Sequence, residues 1–273
     1  MLEVRQHTLS AVASLAFSPS QPVSDQIFAE RFSPMTRGPK VLTFDVVGTL
    51  IDFETGMKNA LLEILGPKGG ALDFEAFLTE YRALRNRPGK LLFPEDLAPI
   101  YLQLAGKFDL PTGNGEEKTF VESAISWPAF DDSVEAMERL KKHFHLVAIT
   151  NARRWAFDGM DKTLDYPFFK GYTVDDSGCE KPDPQYFTYV LEQLAPAGYT
   201  KSDVLHVAQS QFHDIAIAQE LGYTVCWIER RKAVGGGFGG TVAVQELTTP
   251  DYHYHTLAEL ADAADRGELV MMG

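Results

Sequence analysis

Four short polar clusters in this sequence each follow an apolar run or open the loop beyond one. The first is Phe44-Asp45-Val46-Val47-Gly48-Thr49-Leu50, where an aspartate ends an apolar run and a turn-forming glycine follows closely. An aspartate so placed is exposed at the edge of a sheet rather than buried within it. The second is Thr150-Asn151, the third Glu180-Lys181-Pro182-Asp183-Pro184, and the fourth Ala208-Gln209-Ser210-Gln211-Phe212-His213-Asp214. Singly, each has an ordinary explanation: a turn aspartate, a loop pair, a helix-capping detail. Together, in this order and aimed at one edge, they mark a catalytic site containing two carboxylates, a lysine and several hydroxyl and amide groups.

The elements that must position them are strands alternating with helices. Apolar runs at Val41 to Asp45, Leu146 to Ile149, Val204 to Ala208 and Thr224 to Ile228 read as buried strands. Between them, Val134, Met137 and Leu140 share one face of a helix. Phe187, Val190, Leu191 and Leu194 share the face of another, with Asp183 as N-cap and Pro184 in its first turn. A third helix runs from about Ile215 to Leu221 and stops at Gly222. This alternation predicts an α/β fold: a Rossmann-like parallel sheet with helices on both faces. The stretch from Glu54 to Pro128 breaks the pattern with helical segments at Met57 to Leu65, Phe74 to Leu84 and Leu97 to Phe108. An all-helical insertion directly after the first strand is well placed to cover the carboxyl edge of the sheet, where ligands bind. The expected organisation is an N-terminal extension over 1–39, a core over 40–53 and 129–273, and a helical cap over 54–128.

With 273 residues, 45% of them hydrophobic, the chain has material for a large core. A net charge of −13 argues against nucleic acid, because phosphate binding needs a basic surface. It also means that a small anionic substrate needs a local cationic group. Cys179 and Cys226 are too few for a disulfide framework or a zinc site and read as reduced thiols of a cytoplasmic protein. No apolar run is long enough to span a membrane. The segment Leu9 to Phe17 has the look of a signal sequence, but its charged flank is weak and no cleavage site follows, so export is not expected. The glycine-rich run Val234 to Gly240 lacks the Gly-Lys-Ser/Thr of a phosphate loop and reads as a flexible loop. Asp251, His253 and His255 could share one face of a strand, but they read as surface residues ahead of a final helix rather than as a metal site.

From about Val41 to Leu260 the chain resembles the haloacid dehalogenase superfamily. Asp45 with Gly48, Thr49 and Leu50 is similar to the nucleophile loop of that family, Thr150 to its hydroxyl motif, Lys181 to its lysine and Asp214 to its acidic motif. Tyr81-Arg82 resembles the aromatic-arginine pair of the 2-haloacid dehalogenase branch, and Trp127-Pro128-Ala129-Phe130 fits the same branch. The family's magnesium-dependent phosphatases carry an aspartate two residues after the nucleophile, where this chain has Val47. They carry another at the start of the last motif, where it has Gln209. Neither residue replaces a carboxylate on a hard cation. The match within the dehalogenase branch is also altered. Val47 stands where that branch has tyrosine, Gln209 where it has serine, Gln211 where it has asparagine, and Phe187 where a tyrosine is common.

The resemblance implies a metal-independent hydrolase without cofactors, acting on a small 2-substituted carboxylic acid. Asp45 would attack carbon to give an aspartyl ester, with Lys181 keeping it ionised, Asp214 activating water, and Thr49 completing the machinery. Thr150 and Asn151 would donate hydrogen bonds to the substrate, Arg82 would bind the halide or carboxylate from the cap, and Val46, Val47, Gln209, Gln211 and Tyr81 would line the pocket. Arg153 and Arg154 read as solvated. The expected partner is a small anionic substrate, with neither nucleic acid nor membrane; a homodimer is left open. Two alternatives keep the fold. In one, the same ester chemistry opens a strained ring or cleaves another activated carbon bond in a small carboxylic acid. In the other, a non-enzymatic relative binds a ligand through the cap, which the intact Asp45, Lys181 and Asp214 disfavour.

Overall fold

The computed structural model describes residues 38–271. The signal-like segment and all but the last two residues of the expected extension lie outside the described residues. Six strands form one parallel sheet: β1 (Val41–Phe44), β2 (His145–Thr150), β3 (Lys170–Thr173), β4 (Val204–Ala208), β5 (Thr224–Ile228) and β6 (Tyr252–Tyr254), in the order β3-β2-β1-β4-β5-β6. Successive strands run outward from β1 to β3, and the chain then returns to place β4 on the other side of β1. That reversal makes the carboxyl ends of β1 and β4 the topological switch point, where open α/β sheets bind ligands.

β3 and β6 go beyond the four strands predicted from apolar runs. In β3 (Lys-Gly-Tyr-Thr) only Thr173 is buried, and β6 is half-buried or exposed throughout. As edge strands they are not covered on every side, so selection for a continuous apolar run is absent. The inner strands are buried along nearly their full length, and their side chains divide between the two faces. Leu42, Phe44, Leu146, Ala148, Leu205 and Val207 join one core cluster; Val41, Val147, Ile149, Val204 and Ala208 join the other. This period-two division requires apolar cover on both sides.

The helices supply that cover. Helix α1 (Phe53–Leu65) starts on Asp52, whose carboxylate accepts from the Thr55 amide, and α2 (Phe74–Leu84) starts on Asp73 in the same manner. With α3 (Leu97–Phe108) and α4 (Glu116–Glu122) they make the stretch between β1 and residue 128 helical, held by an aromatic cluster of Phe74, Phe77, Tyr81, Phe108 and Phe120. Helix α5 (Ser133–Leu140) buries Ala136, Met137 and Leu140, while the predicted face residue Val134 is only half-buried. Next come α6 (Arg154–Thr163) and α7 (Val174–Ser177), neither expected from the sequence. Helix α8 (Pro184–Leu194) opens with Asp183 accepting from the Gln185 amide, and it buries Tyr186, Phe187, Val190 and Leu194. The predicted helix from Ile215 begins earlier, as a π-helical turn over Gln211–Ile215 that runs into α9 (Ala216–Glu220). The chain closes on α10 (Leu257–Asp265), whose first turn has a Thr256/Glu259 capping box. Among the described residues no helix is long and apolar enough to cross a membrane.

Candidate active site

Asp45 is the first residue past β1. Its amide donates to the Val207 carbonyl of β4 at 3.1 Å, so the backbone is still tied to the sheet as the side chain turns outward at the switch point. The chain then folds sharply, with Leu50 and Ile51 amides both donating to the Val46 carbonyl. Gly48 makes that turn at φ 95°, a region costly for a residue with a Cβ.

Lys181 joins the two ends of the site. Its Nζ donates to Asp45 Oδ1 at 2.9 Å, Asp214 Oδ1 at 2.6 Å and the Ile149 carbonyl at 2.8 Å. Asn151 fixes the lysine backbone by a two-way pair, its Nδ2 donating to the Lys181 carbonyl and its Oδ1 accepting from the Lys181 amide, each at 2.8 Å. Thr49 Oγ1 donates to Asp45 Oδ2 at 2.9 Å and accepts from the Gln209 amide at 2.8 Å, which links the β1 and β4 loops. Asp45 is buried, not exposed as its place at the strand end suggested, and this burial raises its pKa above the ordinary value, against the opposing pull of Lys181. Burial alone would also raise Asp214, but the Lys181 ammonium and a hydrogen bond from His206 hold it at about 2. His206, fully buried in β4, places Nε2 3.2 Å from Asp214 Oδ1 and Nδ1 3.0 Å from Thr43 Oγ1. The other oxygen, Asp214 Oδ2, is buried and has no hydrogen-bond partner among the described residues.

These groups line a cleft with about 520 Å³ of empty space, part of it open to solvent. Asp45, Val47, Thr150, Asn151, Lys181, Gln209 and Asp214 all border it. The Thr150 hydroxyl oxygen accepts from the Ala152 amide, which leaves its proton to donate. Val46 is buried in the core and does not border the cleft. Gln211 is turned away as well, pairing with the Thr248 backbone through both side-chain atoms.

Arg82 does not reach the cleft. Its Nη1 donates to the Gly239 carbonyl at 2.6 Å, and the arginine that borders the cleft is Arg85. The reason is helical geometry: residues four apart share a face, and Arg85 Nη1 donates to the Tyr81 hydroxyl at 2.6 Å, whereas Arg82 is rotated off that face. Tyr81 itself is fully buried and acts as the anchor of Arg85 rather than as lining. The sequence signal that finds Arg85 is thus the Tyr81/Arg85 spacing. Arg153 and Arg154 are held in ion pairs with Asp175 and Asp176.

His213 also lines the cleft, and burial together with the Arg85 charge pushes its imidazole down to about 3, so it is neutral. Phe53 and Phe93 supply apolar wall. The glycine-rich run is more than a connector, since Gly240 and the following Thr241 border the cleft, and Thr241 Oγ1 donates to Gln209 Oε1 at 3.1 Å. A Cβ on Gly240 would lie 2.7 Å from the Phe53 ring, so glycine is what lets this loop close against α1.

The family description of the haloacid dehalogenase-like hydrolases matches residues 39–222. The chain belongs to this family. Among curated relatives of this haloacid dehalogenase-like hydrolase is an (S)-2-haloacid dehalogenase of Pseudomonas putida, 22% identical over 228 residues, which span 81% of this chain and 94% of that one. Its fold is similar to that of the HAD-hydrolase YfnB from Bacillus subtilis bound to magnesium, with TM-score 0.68, 21% identity and coverage of 83% and 98% of the two chains. The fold of this chain is also similar to that of an L-2-haloacid dehalogenase from Xanthobacter autotrophicus with chloropropionic acid covalently bound: TM-score 0.66, 19% identity, coverage of 83% and 98%. The chain is therefore a hydrolase on the α/β fold of this family.

Proposed function

We propose that this hydrolase displaces the 2-substituent, a halide in the simplest case, from a small carboxylic acid through an ester on Asp45. The observation that carries this reading is the Lys181 bridge, whose ammonium favours the charged form of Asp45 in the wall of the cleft and holds Asp214 beside it. An Asp45 oxygen attacks C2 in line with the leaving group, which departs with its bonding electrons as halide. Arg85 offers the guanidinium for the substrate carboxylate, with Thr150 as a further donor. Water then adds to the ester carbonyl while Asp214, whose Oδ2 is free to accept, takes its proton. Collapse frees the 2-hydroxy acid and restores the Asp45 carboxylate, so the balance is haloacid plus water to hydroxy acid, halide and a proton. Neutral His213, Phe93 and Phe53 provide the low-polarity wall that strengthens these charges.

The magnesium bound by the Bacillus relative raises the metal-dependent reading. The donors here do not fit it. Val47 presents an alkyl group to the cleft, Gln209 Oε1 is engaged by Thr241, and Lys181 already occupies one oxygen of each carboxylate. Mg²⁺ demands a near-octahedral set of oxygens.

The test is the route of oxygen in H₂¹⁸O at single turnover, enzyme in excess over 2-chloropropionate. Attack by Asp45 gives product with ordinary oxygen and a heavier Asp45 peptide. Label in the first-turnover product would mean direct attack by water and would end this reading.

A further inference from the structure

Strand β6 lies beside β5 with Trp227 opposite His253 and Ile228 opposite Tyr254, and the Glu229 amide donates to the Tyr254 carbonyl at 2.8 Å. That register puts Glu229 level with His255. Alternate residues of parallel neighbours project to one side, so Trp227, Glu229, His253 and His255 stand together. Glu229 Oε2 lies 3.0 Å from His253 Nε2 and 3.5 Å from His255 Nδ1, and the three donor atoms fall within 4.8 Å of one another. The third ligand differs from the residue suggested by sequence proximity: Asp251 instead accepts from the Val225 amide at 2.8 Å.

We propose that Glu229, His253 and His255 form a binding site for a divalent transition-metal cation of the zinc, nickel and copper class. Bonds of about 2.0–2.1 Å to nitrogen and oxygen place neighbouring ligands roughly 3.0–3.4 Å apart in octahedral or tetrahedral sites. The 3.0 Å separation of Glu229 from His253 lies in that range and the 3.5 Å separation from His255 just beyond it, so Glu229 needs little movement toward either ring to admit the ion. Two imidazoles with one carboxylate favour this class over Mg²⁺ or Ca²⁺, which prefer all-oxygen shells. The His253 ring is held by stacking on Trp227, with centroids 4.5 Å apart and planes at 20°. His255 stands nearly perpendicular to it, at 89°, with the ring centroids 5.2 Å apart. The histidines are 40% and 45% exposed, which leaves room for water to complete the shell. The neighbouring cations are committed elsewhere, Arg230 to Asp132 and Arg231 to Glu54. The site ties the edge strand to the end of β5 and is separate from the hydrolytic cleft, whose lining includes none of its three ligands.

The full chain, stripped by chelator, is titrated with Cu²⁺ while tryptophan fluorescence is followed, and the complex is examined by electron paramagnetic resonance. Expected are saturable partial quenching, from Trp227 against His253, and a Cu²⁺ signal with two nitrogen ligands. His255→Ala should weaken binding by more than about a hundredfold, beyond the roughly 10- to 100-fold that loss of a supporting hydrogen bond costs, and leave one nitrogen. Glu229→Gln should weaken it with both nitrogens retained. Circular dichroism establishes that each variant is folded, and His255→Gln replaces His255→Ala if that variant is not. Absence of saturable quenching up to about 1 mM, the weak limit of specific affinity, would overturn the proposal. So would binding unchanged in both His255→Ala and Glu229→Gln, which would place the ion elsewhere on the chain.

Discussion

Replacing Lys181 by methionine tests the central ion triad directly. The ammonium makes three hydrogen bonds of 2.6–2.9 Å, and its methionine replacement would leave Asp45 and Asp214 facing each other across a space of similar shape. Removing one partner from a buried pair costs about 3–5 kcal/mol, because the remaining charge is left uncompensated. For a chain of this size that lowers the melting temperature by about 6–20 °C, at roughly 2–4 °C per kcal/mol. The loss has a sign in pH. Without the lysine, the two carboxylates share a proton and the folded-state pKa of the pair rises above that of the unfolded chain. A raised folded pKa gives stability that is present at low pH and lost as pH rises through it. The gap between wild type and variant should therefore widen from about pH 5 to about pH 8, read by urea melts at each pH. A deficit under about 1 kcal/mol that stays constant over that range would refute the triad as the main charge balance of the site.

Asp45→Asn should lower turnover by at least about a thousandfold, since the nucleophile is lost, in a chain that circular dichroism shows to be folded. Arg85→Gln should raise KM about 10- to 150-fold, the worth of a hydrogen bond to a charged group, whereas Arg82→Gln should change it only a few-fold; equal effects would contradict the placement of the two side chains. Because Asp45 is raised above 3.8, the acid limb of kcat/KM should lie above that value, with activity lost as pH falls through it. Asp214, held at about 2, contributes stability above its ordinary 3.8 that disappears as pH falls from there toward 2, visible as acid sensitivity relative to Asp214→Asn. Activity should survive exhaustive chelation, and a stimulation of about tenfold or more by Mg²⁺ would restore the metal-dependent reading.

The parallel sheet, the helical stretch after β1 and the grouping of Asp45, Thr150, Lys181 and Asp214 were legible because β1, β2 and β4 are buried apolar runs that each end in a polar cluster, and Lys181 lies in a polar cluster just ahead of α8. Legibility failed where burial was partial. β3 and β6 lack apolar runs, and α6 carries only a narrow buried stripe of Ala156, Phe157 and Met160. Long-range partners were also invisible. Nothing local says that Gln211 turns to Thr248, that a histidine inside β4 supports Asp214, or that Gly240 and Thr241 reach the cleft. The choice of Arg82, which does not border the cleft, over Arg85, which does, was different in kind, since the helical spacing that sets Arg85 beside Tyr81 was present in the chain.

The contacts that turn Arg82 aside have a kinetic meaning of their own. Arg82 holds the Gly239 carbonyl, Glu54 accepts from the Gly240 amide at 2.9 Å, and Arg231 pairs with Glu54, so α1, α2 and the loop after β5 are stitched along one rim of the cleft. Exchange of product for substrate must then either proceed elsewhere around the cleft or wait for this seam to part. A seam of two guanidiniums and a carboxylate loosens as ions screen it. If its parting limits turnover, added salt accelerates the steady state while leaving the single-turnover rate of ester formation untouched. A residue placed for substrate by its sequence position would thereby serve as the latch that sets how long the product stays.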